Sequence, residues 1–421
     1  MKKFFVTMLA VAALVAFTAP VFAADEPGPS FVVGGRMLTD VGYNQSSKEL
    51  TTNKKEDVTT AFVSLAGHSY LNAKFTSVDK TTGGLVELGL ISTSNANSPA
   101  LKSANSESVL LRYAYGWWKV GNCKLIAGQD DGWVGSLVHH PKQYFGIDQD
   151  GKLLLANWGY IYSGRAPQVR FEWQSGMFGF AIAAVQPGAE NLGYYGADAT
   201  GLTAGTLNTI PGTDAYANLP RFDIAAQLKV GGLWVQPGFG WSQLKLEGVA
   251  DSADNISTQY MAILPVKFTA GPFTAKAEIH YGQNNDLEWS GNLLGVGVLR
   301  TALSSIPVVK SNGKIEDSKQ VGGFLALEYK ILPVLEITAG FGMEQVSNDA
   351  WKQSVASDDG EAGYKDDNYT RKAYFVGLPY AVTRNFFLHP EFSYFDYGDN
   401  PKDNSDRGNE WLLGMQFRFI F

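Results

Sequence analysis

The chain has 421 residues, of which 45% are hydrophobic and 13% aromatic, with 46 glycines and a formal net charge of −7 at pH 7. Its single cysteine, Cys123, excludes an internal disulfide and a metal site of paired cysteines. The acidic balance argues against nucleic acid as a partner, because phosphate binding needs clustered positive charge.

The first 23 residues are typical of a secretory signal peptide. Lys2 and Lys3 precede an apolar run that ends near Phe17, and small residues occupy the cleavage positions at Val21 and Ala23. The run is too short for a membrane anchor, and no cysteine stands near the cleavage site to carry a lipid. We therefore expect export from a bacterial cytoplasm and a mature chain of residues 24–421. Without the two lysines of the leader, 32 of the 34 basic residues remain against 41 acidic ones.

Beyond the leader, apolar residues alternate with polar ones at a period of two, which is typical of β-strands. No stretch approaches the roughly 20 apolar residues that a membrane helix needs, so the chain is predicted to be all-β. Turn and loop signals divide it into one domain of sixteen strands: 31–43, 59–77, 84–92, 108–119, 123–129, 164–173, 177–186, 220–230, 233–247, 258–269, 272–284, 319–330, 334–347, 368–381, 385–398 and 409–421.

The fourth strand carries the densest aromatic pattern. Its alternation sets Val109, Leu111, Tyr113, Tyr115 and Trp117 on one face, against a face that includes Arg112. We expect the aromatic face to point to lipid. An interfacial aromatic girdle is predicted from rings near the strand ends: Trp117, Trp118, Trp173, Trp411 and Phe419.

The connections between the strands alternate in length. Tight turns such as residues 120–122 and 230–232 alternate with long segments such as 130–163 and 286–318, which are rich in Asn, Asp, Ser, Gly and Thr. Short turns at one end and long loops at the other are the connection pattern of an outer-membrane barrel. The even strand number places both chain ends on the periplasmic side.

The last strand keeps its apolar face up to the terminal carboxylate. That face consists of alternate residues: Trp411, Leu413, Met415, Phe417, Phe419 and Phe421. Lipid would receive these side chains, and pairing of the last strand with the first would leave no open edge. The sequence therefore predicts a closed, transmembrane, antiparallel 16-stranded β-barrel with membrane lipid around it.

With this layout the chain resembles the general porins of Gram-negative bacteria. The terminal W-L-L-G-M-Q-F-R-F-I-F is similar to their closing strand, and G-R-M-L-T-D-V-G-Y is similar to their first. The longest connection follows the fifth strand, where that family folds its third loop inward, and Phe145-Gly146 stands where enteric members carry Pro-Glu-Phe-Gly. The resemblance implies an inward-folded third loop, a homotrimer and a location in the outer membrane.

A barrel of sixteen strands is wide enough for an aqueous channel, so the charges on its inner face determine function. The alternation of strand residues between the two faces places these charged residues on the inner face: Arg36, Asp40, Lys74, Arg112, Arg170, Glu172, Arg221, Asp223, Lys276, Glu278, Glu336 and Arg418. Four cations of early strands are expected to face four acids of the third loop across a pore constriction: Arg36, Lys74, Arg112 and Arg170 against Asp130, Asp131, Asp148 and Asp150. In the family, such a field favours small polar solutes. The alternative is local pairing of arginines with neighbours such as Asp40 and Glu172.

We therefore expect an outer-membrane channel for passive diffusion of ions and small hydrophilic solutes. The acidic balance favours a weak cation preference. The alternative is a channel selective for phosphate, sugars or carboxylates. Phosphate selectivity would need a dense ladder of lysine and arginine, and sugar selectivity a run of inward-facing aromatic residues.

An outer-membrane hydrolase is a third candidate, because Ser393 lies near His389 in the sequence. Their spacing does not mark a catalytic pair, so we expect no enzyme. No cofactor and no metal are expected either. His139 and His140 would point opposite ways on an extended segment, and the calcium-like run from residue 148 has Gly159 where the twelfth position should be Glu.

Overall fold

The computed structural model describes these residues of the chain: 28–50, 55–66, 68–92, 107–136, 139–145, 155, 158–187, 195–196, 214–247, 256–289, 305, 307–309, 315–348, 367–401 and 404–421. The signal peptide predicted for residues 1–23 lies outside these ranges and stays a prediction. Among the described residues, no helix is long and apolar enough to cross a membrane.

Sixteen antiparallel strands, some of them interrupted, close into one barrel and confirm the predicted number. They are β1 Ser30–Ser46, β2 Val58–Leu65 with Tyr70–Thr76, β3 Thr82–Ser92, β4 Glu107–Val120, β5 Cys123–Asp131, β6 Arg165–Ser175, β7 Phe178–Val185, β8 Asp214–Tyr216 with Arg221–Val230, β9 Leu233–Val235 with Gly238–Glu247, β10 Ile256–Ala270, β11 Phe273–Gln283, β12 Lys319–Leu332, β13 Leu335–Ser347, β14 Asn368–Gly377 with Tyr380–Ala381, β15 Phe386–Asp396 and β16 Asn409–Ile420. A short helix, α1 Asp286–Trp289, follows β11.

The first and last strands pair along their whole shared length. Their register runs from Arg36 opposite Ile420 to Ser46 opposite Glu410. The terminal residue joins the ladder too, since the backbone N–H of Gly35 donates to the Phe421 carbonyl at 2.9 Å and the Phe421 N–H donates back at 3.1 Å. The barrel therefore closes as predicted, without an open edge.

The two faces of the barrel differ in chemistry. Outward positions carry exposed apolar side chains, such as Val63, Ile279 and Val169, whereas inward positions carry buried polar ones, such as Asp40 and Glu278. In β8 the pattern alternates residue by residue. An apolar band outside and polar groups inside are the arrangement that a lipid-embedded barrel requires.

The alternation of β4 is the main departure from the sequence prediction. One extra residue, Arg112, stands between the pairs Glu87–Tyr113 and Leu88–Leu111, which is a β-bulge. Because of the bulge, Arg112 faces inward as predicted, but Tyr113, Tyr115 and Trp117 face inward as well. The prediction that these three aromatic residues point to lipid is wrong.

Four of the five predicted girdle residues lie on the outward face. Trp118 and Phe419 are exposed, Trp173 stacks on Phe180 at 5.8 Å, and Trp411 lies 6.5 Å from Phe392. Only Trp117 faces inward, because the bulge at Arg112 reverses the facing of the residues that follow it in β4.

Candidate functional site

The connection between β5 and β6 contacts inward-facing side chains far away in the barrel. Lys142 Nζ donates to both carboxylate oxygens of Glu336, at 2.5 and 2.6 Å. Gln143 Nε2 donates to the Ser393 hydroxyl at 2.9 Å, and the Tyr144 backbone N–H donates to Glu391 at 2.8 Å. These polar contacts join the connection to β13 and β15.

Phe145 anchors the same segment against the pair of strands that closes the barrel. It is fully buried and stacks on Phe62 with 5.6 Å between ring centroids. Its ring lies over Gly42 and Gly414, which face each other in β1 and β16. A Cβ atom at Gly42 would come within 2.4 Å of the Phe145 ring, and one at Gly414 within 2.2 Å. Only glycine leaves room for the ring there.

Two further segments fill the β6–β14 side of the lumen. In the β5–β6 connection, Trp133 Nε1 donates to Glu172 at 3.0 Å, and the Ile161 N–H donates to Glu278 at 2.8 Å. In α1, the Glu288 carbonyl accepts from Arg221 Nη1 at 2.7 Å. These contacts join both segments to inward-facing side chains of β6, β8 and β11.

Four inward cations on this side form what we call the paired set: Arg170, Arg221, Lys276 and Arg371. Arg170 contacts Asp130 at 2.6 Å and Glu172 at 2.8 Å. Arg221 contacts Asp223 at 3.0 Å, Lys276 contacts Glu328 at 2.6 Å, and Arg371 pairs with Glu344. All four cations are buried, so their charges are compensated by carboxylates at contact distance.

A second group, the ring-backed set, consists of Arg36, Lys74, Arg165 and Arg418. Each places its charge over an aromatic ring: Tyr70 at 4.8 Å, Trp117 at 5.7 Å, Tyr113 at 5.3 Å and Tyr144 at 5.5 Å, respectively. None of them forms an ion pair with a residue in the described ranges, and all remain partly or fully exposed. Arg165 has Asp131 as its cross-strand neighbour.

The four cations that the sequence assigned to one constriction lie in three different surroundings. Arg36 and Arg112 share Tyr70, with the Arg112 guanidinium 5.7 Å from the ring centroid. Arg112 Nε also donates to Glu87 at 2.8 Å, a partner that the sequence did not reveal. Lys74 lies further along β2, at Trp117, whereas Arg170 belongs to the paired set. Local pairing, the alternative considered above, holds for Arg170 with Glu172.

Of the four predicted acids, Asp130 and Asp131 fall within the described residues. Asp130 and Asp131 lie at the end of β5 and not in the loop. Asp130 contacts Arg170, and Asp131 accepts hydrogen bonds from Tyr113 at 2.5 Å and from Tyr162 at 3.3 Å. Asp148 and Asp150 fall outside the described residues. Asp40 accepts from Gln416 Nε2 at 2.9 Å.

The histidines of the β5–β6 connection pack against aromatic rings. His139 is buried against Trp234, 4.8 Å between ring centroids, and this burial, with Lys267 nearby, lowers its pKa to about 4. His140 packs edge-on against Tyr160 at 5.2 Å. Within the described part of the chain, no group of three or more His, Cys, Asp or Glu side chains could hold a metal ion.

Ser393 and His389, the pair considered for a hydrolase, do not contact each other as a nucleophile and its base would. The Ser393 hydroxyl donates to Glu391 at 3.0 Å and accepts from Gln143. His389 Nε2 lies 3.1 Å from Glu391. Both side chains contact the same carboxylate, which also accepts a hydrogen bond from the Tyr144 N–H of the β5–β6 connection.

Comparison with known proteins gives fold likeness only. No family model and no curated protein matches the sequence. The outer membrane channel DcaP of Acinetobacter baumannii has a TM-score of 0.67 at 16% identity, covering 95% of this chain and 99% of that one. OmpT of Vibrio cholerae gives 0.53 at 11%, covering 96% and 100%, and an anion-selective porin from Comamonas acidovorans gives 0.55 at 10%, covering 93% and 100%. The chain therefore has the fold of the sixteen-stranded outer-membrane porins.

Proposed function

We propose that the mature chain forms a water-filled channel in the outer membrane for passive diffusion of ions and small hydrophilic solutes. The observation that carries this proposal is the closed barrel with exposed apolar residues outside and charged residues inside. Such a barrel is solvated by lipid on one face and by water on the other. The fold shared with outer-membrane channels supports the location, and the predicted signal peptide would provide export.

The β5–β6 connection acts in this proposal as the inward-folded third loop that narrows the channel. Its contacts with Glu336, Glu391 and Ser393 support that role, because all three side chains face inward from distant strands. The ring-backed set remains accessible beside the loop. We place the constriction there, with Arg36 and Arg112 at Tyr70 as its central cations.

Planar-bilayer recording of the purified protein tests the proposal. We expect stepwise conductance increases with a nearly ohmic current–voltage relation, and swelling of liposomes in isotonic solutions of small solutes. A properly folded barrel that gives no current and no swelling would rule out the diffusion channel.

We propose a homotrimer as the assembled form, on the likeness in fold to a set of porins that includes a trimer form of Vibrio cholerae OmpT. Conductance steps in groups of three, together with cross-linked trimers on a denaturing gel, would support it. A monomeric mass in detergent and single, ungrouped steps would contradict it.

A sugar-selective channel is the second candidate, and one observation favours it. The sequence argued against it because aromatic residues were expected to face lipid, yet Tyr113, Tyr115 and Trp117 form an inward ladder with centroids 6.3 and 6.2 Å apart. Rings along a channel wall can stack on the apolar faces of sugars. Saturating block of the ion current by one sugar would establish selectivity, whereas unsaturated, size-dependent flux of all sugars supports simple diffusion.

A further inference from the structure

We propose that this channel passes anions in preference to cations, along the wall that carries the ring-backed set. The inference rests on the proposed channel function and names the solutes it favours. It runs against the weak cation preference that the acidic balance of the sequence suggested.

The first step concerns which charges remain available to a solute. In the paired set, a carboxylate contacts each cation, so the two charges of each pair compensate each other within the wall. For Arg36, Lys74 and Arg418 of the ring-backed set, the neighbour of the cation is a neutral ring. An aromatic face attracts a cation through its quadrupole but carries no net charge that would cancel it. The positive charge is therefore held in place and still acts on ions in the water.

The second step is the clustering of guanidinium groups at one level of the barrel. Arg36 lies opposite Tyr70 in the β1–β2 register, and Arg112 reaches the same ring from β4. On the other side of β1, Arg418 lies opposite Leu38, two residues from Arg36. Glu87 pairs with Arg112 in this cluster, whereas Arg36 and Arg418 form no ion pair with a described residue. The cluster therefore carries excess positive charge.

The third step explains why the net charge of the chain does not decide ion preference. At an ionic strength of 0.1 M, the field of an exposed charge fades over about 10 Å. An ion inside the narrowed lumen responds to the side chains beside it and not to acids in outer turns, such as the exposed Asp79. Beside the β1–β4 wall, those side chains are mainly basic.

The experiment measures the reversal potential of single channels across a potassium chloride gradient. The test variant removes three ring-backed charges, Arg36→Gln, Lys74→Gln and Arg418→Gln. The matched control removes three exposed charges in or next to turns, Lys80→Gln, Lys330→Gln and Arg384→Gln. We expect the unmodified channel and the control to favour chloride. The test variant should lower the chloride-to-potassium permeability ratio about fivefold or more, the effect of one charge at contact distance in bulk water.

Channels that conduct but favour potassium before any substitution would overturn the inference and leave the channel function intact. A permeability ratio that falls equally in the test and control variants would also overturn it. Absence of any channel would instead contradict the proposed function. If the triple variant does not fold, Lys74→Gln alone decides, because Lys74 is exposed and glutamine keeps most of the side-chain stem beside the Trp117 ring.

Discussion

On the β6–β14 side of the lumen, the cations of the paired set are buried beside carboxylates. On the side of β1, β2 and β16, the ring-backed cations Arg36, Lys74 and Arg418 are accessible above aromatic rings. Arg371 and Arg36 represent the two cases: the first is 2% exposed and bound to Glu344, and the second lies over Tyr70. One wall uses its charges to hold the structure together. The other keeps them available to the channel.

The difference should be visible in stability. Removing one partner of a buried ion pair leaves the other charge without compensation, at a cost of about 3–5 kcal/mol. Removing a cation from an exposed aromatic face costs about 0.5–1 kcal/mol. The same chemical change should therefore have unequal effects on the two walls.

The largest effect is expected for Arg371→Met, which leaves Glu344 buried and unpaired. We expect the free energy of unfolding in detergent to fall by about 3–5 kcal/mol, as measured by urea titration. The double variant Arg371→Met, Glu344→Met removes both charges and should recover most of this loss. A single variant as stable as the unmodified protein would show that the pair does not stabilise this wall.

A smaller effect is expected for Gly414→Ala, where the new Cβ meets both the Phe145 ring and the Val41 carbonyl at 2.2 and 2.4 Å. Overpacking of this kind costs about 2–3 kcal/mol, and displacement of the loop should add noise to the single-channel current. The control is Gly116→Ala, whose Cβ would meet its nearest neighbour at 3.5 Å. Equal current noise in both variants would contradict the role of Phe145 in holding the loop.

Acid should loosen the loop through His139, whose pKa is lowered to about 4 by burial. Below the ordinary pKa of 6.5 the unfolded chain takes up a proton that the folded chain refuses until about pH 4. The stabilisation is therefore complete above pH 6.5 and is lost as the pH falls, by about 2 kcal/mol at pH 5. The variant His139→Phe keeps a ring on Trp234 and should remove this part of the pH dependence of unfolding. An unchanged pH profile would refute the assignment.

The smallest change is expected for Arg36→Met, at about 0.5–1 kcal/mol of unfolding free energy. Its Nε also donates to the His68 carbonyl at 2.8 Å, a contact that lies partly in solvent. Urea titration beside Arg371→Met tests the comparison directly. A loss as large as that of Arg371→Met would mean that the two walls do not differ.

The sequence predicted the barrel well because lipid and water impose opposite demands on alternate residues. The strand number, the closure of β16 on β1 and the inward position of charges such as Arg221 and Glu278 follow from that period alone. The bulge at Arg112 could not be found in this way. It depends on how β4 meets β3, and a single extra residue reverses the facing of every side chain after it.

The site was less predictable than the fold, because it depends on neighbours that are far apart in the chain. Tyr70 lies 34 residues from Arg36 and reaches it only through the β1–β2 register. Glu391 is 247 residues from the Tyr144 amide that it binds. Parity assigns a side chain to the inside but does not say which partner it meets there. For that reason Arg170 and Arg36 looked equivalent in the sequence.

The binding site of Phe145 links the β5–β6 connection to the assembly of the barrel. The Phe145 ring lies over Gly42 of β1 and Gly414 of β16. Its binding site therefore does not exist until these two strands have paired. The β5–β6 connection can take its final position only after β1 and β16 have paired. Docking of the Phe145 ring therefore depends on closure of the barrel.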